Sequence, residues 1–142
     1  MGINIKVRLD PQARQFARQI PGKLQEARQK AVEAAGMVWA DEAKEVTQED
    51  NHIDTSLYIN SIGYLTNIPY TNKSGKGERD ATEADVVHEL TESETQTNLE
   101  IGSDVSYASH LENRYNIMAR ALDRAEPRMQ QVAETQIRLI LE

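Results

Sequence analysis

The sequence predicts an α+β fold, in which a small antiparallel sheet packs against a long N-terminal helix and a C-terminal helix. Three patterns carry this prediction: an apolar period of two near the N-terminus, a long helical period after it, and two alternating segments before a final helical period. The predicted strands are grouped rather than alternating one by one with helices, which is typical of an antiparallel sheet covered by helices. We expect residues 1–142 to form a single domain.

The first element is predicted to be a half-buried strand from Ile3 to Leu9, because apolar and polar residues alternate along it. Asp10 and Pro11 follow, and a proline at the first helical position is a common helix start. The resulting helix is expected to end near Gln19, because Pro21 interrupts it.

A second and longer helix is predicted from about Lys23 to Val46. Apolar residues recur at spacings of three or four along it and therefore share one face. Trp39 is the only tryptophan of the chain, and we expect it to anchor the core against the sheet. The face consists of Val32, Ala35, Trp39, Ala43 and Val46.

The middle of the chain contains a predicted cap, a short helix and a loop. Asp54, Thr55 and Ser56 read as the N-cap region of one helical turn over residues 57–60. Ile62, Tyr64 and Leu65 are expected to begin a strand. Residues 71–84 are polar and rich in small side chains, which predicts a mobile loop.

Two strands, about 85–91 and 97–101, are predicted to form a hairpin around the turn at 92–96. A short helical turn from Tyr107 to Glu112 comes next.

The last element is a helix predicted over residues 116–141, and Pro127 is expected to kink or split it near Arg124. Its predicted apolar face is formed by Met118, Leu122, Ala125, Met129, Val132, Ile137 and Ile140.

Composition limits the classes of function. Hydrophobic residues make up 39% and aromatic residues 5% of the chain, so the core is expected to be aliphatic and thin, which favours oligomerisation. The chain has no cysteine, which excludes disulfides and thiolate metal sites. No run approaches the ~20 apolar residues of a membrane span, and no signal peptide is visible. The net charge of −7 disfavours nonspecific binding along a DNA duplex, which needs clustered Lys and Arg.

The sequence contains no catalytic signature. His52, His88 and His110 are isolated, whereas a metal site needs at least three convergent ligands. The stretch 102–104 does not match the Gly-x-Ser-x-Gly elbow of a serine nucleophile, and 74–77 lacks the first glycine of a phosphate-binding loop. We therefore predict that the protein is not an enzyme and that it binds no cofactor.

Three segments resemble the neck and tail-completion proteins of tailed bacteriophages, the head–tail joining family often described as minor capsid proteins. Residues 54–62, Asp-Thr-Ser-Leu-Tyr-Ile-Asn-Ser-Ile, resemble the family pattern D-T-G-x-L-x-x-S-I. Residues 101–103 and 107–112 resemble I-G-S followed by Y-A-x-x-x-E-x-G-T. Residues 116–122 resemble the P-F-L-x-x-A-L start of the last family helix. Together with the alanine-rich helix that precedes them, these segments place about residues 23–142 within the resemblance.

The sequence departs from the family pattern at its turn residues. Ser56 replaces a glycine, and Asn113 and Arg114 stand where the family has Gly-Thr. Asn116 and Ile117 replace the Pro-Phe pair. The order and spacing of the segments match the family more closely than these turn residues do.

The resemblance implies a structural virion protein of the neck or tail end, assembled in the host cytoplasm. Its subunits would form a six-fold or twelve-fold ring that contacts portal or connector proteins on the head side. On the tail side it would contact a tail terminator or the tail-tube protein. DNA would pass through the lumen without specific binding, and no membrane would be involved. A tail terminator that caps the tail tube and a non-viral binding or regulatory domain remain as alternatives.

The candidate residues are expected to maintain the fold or to form interfaces. Asp54 and Thr55 would cap a turn that directs Leu57 and Ile62 inward, and Gly102 would let a strand end and bend. Glu112 would form an ion pair with an arginine of the same or a neighbouring subunit. Expected interfaces are the edge strand at 3–9, the 71–84 loop and the outer face of the last helix. The full candidate set is Asp54, Thr55, Leu57, Ser61, Ile62, Gly102, Tyr107, Ala108 and Glu112, with Lys73, Lys76 and Arg79 as possible contacts to nucleic acid or an acidic neighbour.

Overall fold

A computed structural model describes residues 1–8, 21–50, 56–69 and 79–141 of the chain, and it has the predicted α+β fold. The helix predicted for 11–19 lies outside these ranges. In chain order the elements are β1 (Gly2–Arg8), α1 (Pro21–Glu49), α2 (Leu57–Ser61), a 3₁₀ turn (Glu83–Asp85), β2 (Val86–Glu92), β3 (Gln96–Ser103), α3 (Ala108–Tyr115) and α4 (Ile117–Leu141).

The three described strands form one sheet in the order β1-β3-β2. β3 is central and antiparallel to both neighbours, so β1 and β2 run parallel to each other at the two edges. Ile5 lies opposite Leu99, which in turn lies opposite Leu90. The predicted hairpin between β2 and β3 is confirmed, with its turn closed by a hydrogen bond from Ser93 N to Gln96 O of 2.8 Å.

One face of the sheet packs on α1, because period-two alternation turns the apolar residues of all three strands to the same side. Leu99 and Ile101 on the central strand are completely buried. Gly36 of α1 faces them: a β-carbon placed there would lie 2.8 Å from Leu99 Cδ2 and 3.2 Å from Ile101 Cδ1. The glycine thus lets the helix approach the sheet closely.

Helix α4 packs along α1, and this contact is the most extensive in the described structure. Trp39 is fully buried, and its indole N–H donates to the carbonyl of Met118 at 3.2 Å. The prediction that Trp39 is a core anchor holds, but its polar atom binds the last helix rather than the sheet. Helix α1 is therefore the central layer, with the sheet on one side and α4 on the other.

The edge of the α1–α4 contact is formed by arginines one helical turn apart on α4. Arg124 lies 2.7 Å from the buried Glu42 carboxylate and 2.8 Å from Glu49. Arg128 also binds Glu42, at 2.7 Å, and Arg120 binds Asp50. The hydrogen bond between Arg124 and the Glu49 carboxylate raises the pKa of Arg124 and lowers the pKa of Glu49.

The hairpin is attached to α1 by Arg28, whose side chain is only 4% exposed. Its Nε donates to Thr97 Oγ1 at 3.1 Å, and its Nη2 donates to the carbonyl of Ser93 at 3.1 Å. Nη2 also pairs with Glu92 Oε2 at 3.4 Å. Because one guanidinium contacts both strands and the turn, it fixes the hairpin relative to the helix.

The strand predicted at Ile62–Leu65 is wrong. Gly63 adopts a left-handed conformation with φ of 72°, and the amide of Thr66 donates back to Asn60 O at 3.0 Å. These features turn the chain instead of extending it. The sheet consequently has three described strands where the sequence predicted four.

Two further predictions need correction. Helix α4 is not split: it runs unbroken from Ile117 to Leu141 with Pro127 inside it. Pro127 is exposed, as is Asp123, whose carbonyl loses its helical donor to the proline and can be hydrated instead.

The C-terminal end of the predicted mobile loop is also ordered, in the 3₁₀ turn at Glu83–Asp85. A capping box closes that turn between Thr82 and Asp85. Residues 71–78 of the predicted loop lie outside the described ranges.

Candidate functional site

The described residues of the first two resembling segments lie together in space. We call this arrangement the motif cluster and define it as residues 57–62, 101–103 and 107–112. The hydroxyl groups of Ser61 and Ser103, 42 positions apart in sequence, lie 2.7 Å from each other. Both residues are completely buried.

A short chain of hydrogen bonds runs through the two serines. Ser61 Oγ donates to Tyr58 O at 2.8 Å, which uses its only proton. Ser103 must therefore donate to Ser61, and Ser103 Oγ in turn accepts from Val105 N at 3.3 Å. The buried chain joins the end of α2 to the turn that follows β3.

Backbone contacts reinforce this junction. The amide of Gly63 donates to the carbonyl of Gly102 at 2.9 Å. The prediction that β3 ends at Gly102 is wrong, because the strand continues to Ser103. The lack of a side chain at Gly102 serves another purpose: a β-carbon would lie 2.2 Å from Met1 O and 2.5 Å from Gly2 Cα. Gly102 thus permits close approach of β1 to β3.

The predicted inward direction of Leu57 and Ile62 is confirmed, since they are 7% and 0% exposed. Asp54 and Thr55 lie outside the described residues. Ser56 occupies the position before α2 with φ of 66°, and its side chain makes no capping hydrogen bond. Glycine adopts this left-handed conformation more readily than serine does.

Tyr107 and Ala108 begin α3, and Ala108 is buried. Tyr107 and Leu111 are partly buried and pack against the core, as their spacing of four predicts. Nearby, burial raises the pKa of the Tyr58 hydroxyl, and the charge of Glu112 raises it further. That hydroxyl is buried and forms no hydrogen bond with a described residue.

Within the part of the chain that the structure describes, Glu112 forms no ion pair with an arginine, and a pair with an arginine of a neighbouring subunit stays a prediction. The Glu112 carboxylate accepts the backbone amides of Met118 at 2.8 Å and Ala119 at 3.1 Å. These amides lie in the first turn of α4, where backbone donors lack helical partners and a negative charge is favourable. Asn116, with φ of 53°, makes the turn between α3 and α4 that brings the two groups together.

A buried lysine beside the motif cluster was missed by the sequence reasoning. Lys44 is 5% exposed, and its ammonium donates to Ile59 O at 2.6 Å and Tyr64 O at 3.0 Å. It also lies 4.5 Å from the centre of the Tyr64 ring, while the Tyr64 hydroxyl donates to Asp41. Burial lowers the pKa of Lys44 to about 8, with Asp41 opposing that shift.

The signal for Lys44 in the sequence was weak but present. It is flanked by Ala40 and Ala43, which are both completely buried, on a helix whose spacing places it near the apolar face. Lysine is rarely buried without partners, and its partners here are a carbonyl of α2, Ile59 O, and a carbonyl of the turn that follows, Tyr64 O.

A cleft of about 410 Å³ opens next to this turn. Its walls include Leu57, Asn60 and Ile68 on one side and Arg79 on the other. The Asn60 side chain is fully used within the fold: Nδ2 donates to Ile68 O at 3.0 Å, and Oδ1 accepts from Ile68 N at 2.9 Å. The Asn60 side chain therefore stabilises the wall of the cleft, whereas the buried Ser56 hydroxyl in the same lining forms no hydrogen bond with a described residue.

Arg79 was predicted to contact nucleic acid or an acidic neighbour. In the structure its two terminal nitrogens bind the Asp85 carboxylate of the same chain at 2.6 and 2.7 Å. The Arg79 guanidinium holds the pKa of Asp85 well below its usual range. Lys73 and Lys76 lie outside the described residues, so the three basic candidates are not brought together by what the structure describes.

The described residues contain no group of three or more His, Asp or Glu side chains arranged to hold a metal ion. His88 binds Glu33 of α1 at 2.8 Å. Among the described helices, none is long and apolar enough to cross a membrane.

Comparison with known proteins yields no match to any protein-family model, curated protein or solved structure.

Proposed function

We propose that this protein is a structural subunit of the head–tail junction of a tailed bacteriophage, acting in tail completion or as a neck ring. Copies of the chain would form a six-fold or twelve-fold ring that docks portal or connector proteins to a tail terminator or tail tube. The observation that carries the proposal is the convergence of the resembling segments: Ser61 and Ser103 bind each other, and Glu112 caps the helix that begins at Ile117.

This convergence matters because the segments resemble the family in residues that hold the fold together. Ser61, Ile62, Gly102 and Ala108 are all buried, so their identities are constrained by packing and hydrogen bonding. A chance likeness scattered over unrelated surface positions would not be expected to form one connected cluster. The arrangement therefore supports the family reading, in which the cluster stabilises the subunit and the interfaces lie elsewhere.

The charge distribution supports passage of DNA without binding. The net charge of −7 repels the phosphate backbone. On the face of the sheet opposite to α1, Glu89 lies directly opposite Glu100, and both are exposed. In a ring that turned this face inward, the lumen would carry these two acidic side chains together with the exposed Lys6 of β1.

The first test is assembly of the purified full chain, measured by light scattering during gel filtration across a range of concentrations. Electron microscopy of the same fractions would show whether the particles are rings. We expect closed six-fold or twelve-fold rings, whose formation depends on concentration. A chain that stays monomeric at all concentrations, and also in the presence of portal and tail-tube proteins, would refute the proposed function.

Partner binding separates the two viral roles. A tail-completion or neck subunit should bind a portal-side complex, whereas a tail terminator should bind only the tail tube. A map of the assembled ring tests the charge argument, since a neutral or basic lumen would contradict it.

A binding or regulatory domain is the second candidate, and the cleft beside Asn60 and Ile68 is the observation that favours it. This candidate predicts a stable monomer that binds a small molecule in the cleft. Screening a compound library by thermal shift would detect such a ligand. Substitution of Leu57 or Ile68 at the cleft wall should then reduce the shift.

A further inference from the structure

The two edge strands of the sheet have regular backbones whose outer sides pair with no strand among the described residues. β1 and β2 each keep a regular register with β3 over seven residues, without a bulge or a proline. Among the described residues, no other strand pairs with the outer side of either one. Natural sheets commonly blunt such edges with bulges, prolines or coverings, because free backbone donors and acceptors pair readily with another chain.

The direction of the strands decides how two copies can pair. Because β1 and β2 are parallel to each other, β1 of one copy can lie beside β2 of the next without turning either copy over. Such contacts join two different surfaces, and repeating them generates a ring when the rotation closes. A two-fold dimer would instead pair β1 with β1, or β2 with β2, in an antiparallel manner.

Charges on the outer face of the sheet are complementary between the two edges. Lys6 of β1 is exposed and forms no ion pair with a described residue. Glu89 of β2 is likewise exposed, and it lies opposite Glu100, a like-charge pair that is unfavourable by itself. A lysine from a neighbouring copy beside Glu89 would offset that repulsion.

The apolar residues on the other face agree with the same alignment. Residues of β1 and β2 are level when they lie opposite the same residue of β3. If β1 of the neighbouring copy is shifted by two residues from that level, Lys6 lies beside Glu89, Val7 beside Leu90 and Ile3 beside Val86. With no displacement, Val7 would lie beside Glu92, which Arg28 already binds. The flanking apolar side chains are only partly buried within one copy, so this pairing would complete their burial.

We propose that β1 of one copy pairs in parallel with β2 of a second copy in this two-residue displaced register, extending the sheet from subunit to subunit. The inference rests on the proposed ring and specifies the surfaces that meet in it. A displacement between successive strands is also what a sheet needs to close on itself, because closure requires the strands to tilt.

Single-cysteine variants test the pairing directly, since the native chain contains no cysteine. Asn4→Cys and Val87→Cys variants of the full chain, which leave Lys6 and Glu89 intact, are mixed and oxidised. The displaced register predicts disulfide-linked dimers in the mixture and little cross-linking of either variant alone. A mixture of Asn4→Cys with Glu89→Cys is the matched control, because those positions would be level only in the undisplaced register.

Charge reversal supplies a second measurement that does not depend on cross-linking. Lys6→Glu and Glu89→Lys should each weaken self-association by about fivefold per contact, and the double variant should restore it. Lys30→Glu, an exposed charge reversal on α1 away from the proposed contacts, should leave self-association unchanged.

The outcomes separate the two proposals. Rings that form without cross-linking between positions 4 and 87 would overturn the strand pairing and leave the ring intact. Asn4→Cys that cross-links to itself as strongly as to Val87→Cys would also overturn it, in favour of β1–β1 contacts. Cross-linked chains that never close would support the pairing and contradict the ring, whereas a persistent monomer would contradict both.

Discussion

Ser61 and Ser103 share a buried hydrogen bond of 2.7 Å that joins the short helix α2 to the last residue of the central strand. Each hydroxyl has a second partner, Tyr58 O for Ser61 and Val105 N for Ser103. The pair therefore links two turns that are distant in sequence. Several consequences for stability can be measured.

Replacing one serine should cost more than half of what replacing both costs. Ser61→Ala or Ser103→Ala leaves a buried partner without its bond, and we expect each to reduce the free energy of unfolding by about 1–3 kcal/mol. The double variant should lose less than the sum, because it removes both members of the pair. Urea denaturation of the four proteins gives the coupling. Strict additivity would show that the hydroxyls do not interact.

Glu112 should stabilise the start of α4. We expect Glu112→Ala to lower the free energy of unfolding by about 1 kcal/mol, because the amides of Met118 and Ala119 lose their acceptor. Glu112→Gln keeps an acceptor oxygen but loses the charge, so its effect should be smaller. Thermal unfolding measures both, and Glu126→Ala on the exposed side of the same helix is the control. Equal effects of Glu112→Ala and Glu126→Ala would contradict the capping role.

Arg28 should hold the β2–β3 hairpin against α1. Arg28→Ala removes the donor to the carbonyl of Ser93 and the cationic partner of Glu92, which keeps its hydrogen bond from Thr97, and we expect the free energy of unfolding to fall by about 2–4 kcal/mol. Hydrogen exchange should show the largest loss of protection in the hairpin amides. Lys30→Ala, an exposed change on the same helix, should alter stability by less than about 0.5 kcal/mol. Uniform loss of protection over the whole chain would argue against a local clamp.

Lys44 should make stability depend on pH in the alkaline range. Burial lowers its pKa in the folded protein from 10.5 to about 8, so between these values the unfolded chain binds more protons than the folded one. Stability contributed by this group therefore rises with pH from about 8 to about 10.5, and it is lowest where both states are protonated.

The measurement is the difference in free energy of unfolding between the native protein and Lys44→Met across that range. The difference should change in favour of the native protein by about 3 kcal/mol, which is the free energy equivalent of the shift. Taking the difference cancels titrating groups that do not contact Lys44. Tyr64 does contact Lys44, but burial and the Asp41 hydrogen bond raise the pKa of Tyr64 to about 12, above this range. A constant difference across this range would contradict the lowered pKa of Lys44.

Local pattern was enough to predict the main elements of this fold. The helical period between 23 and 46 and the alternation at 3–9 show which side of each element is apolar. Residues close together in sequence are sufficient to reveal these two periods. The hairpin of β2 and β3 was found for the same reason. The inward direction of Leu57 and Ile62 also followed from the pattern and agrees with their burial.

Tertiary structure decided what local pattern could not. Ile62–Leu65 has the composition of a strand. The chain turns there instead, because Gly63 adopts a left-handed conformation and the ammonium of Lys44 binds the carbonyl of Tyr64. From the sequence Glu112 is expected to pair with an arginine, and only the folded chain places the first amides of α4 beside its carboxylate. From the sequence Arg79 is a candidate for contact with nucleic acid or an acidic neighbour, whereas in the folded chain it binds Asp85.

By itself, then, the sequence determined helices α1 and α4, the three strands of the sheet and their buried sides, because these depend on side chains three, four or two positions apart. Only the folded chain decided which polar groups meet, since Ser61 with Ser103 and Lys44 with Ile59 are joined across turns that local preference does not specify. Burial makes those pairings obligatory: a polar group removed from water needs a partner, wherever in the sequence that partner lies.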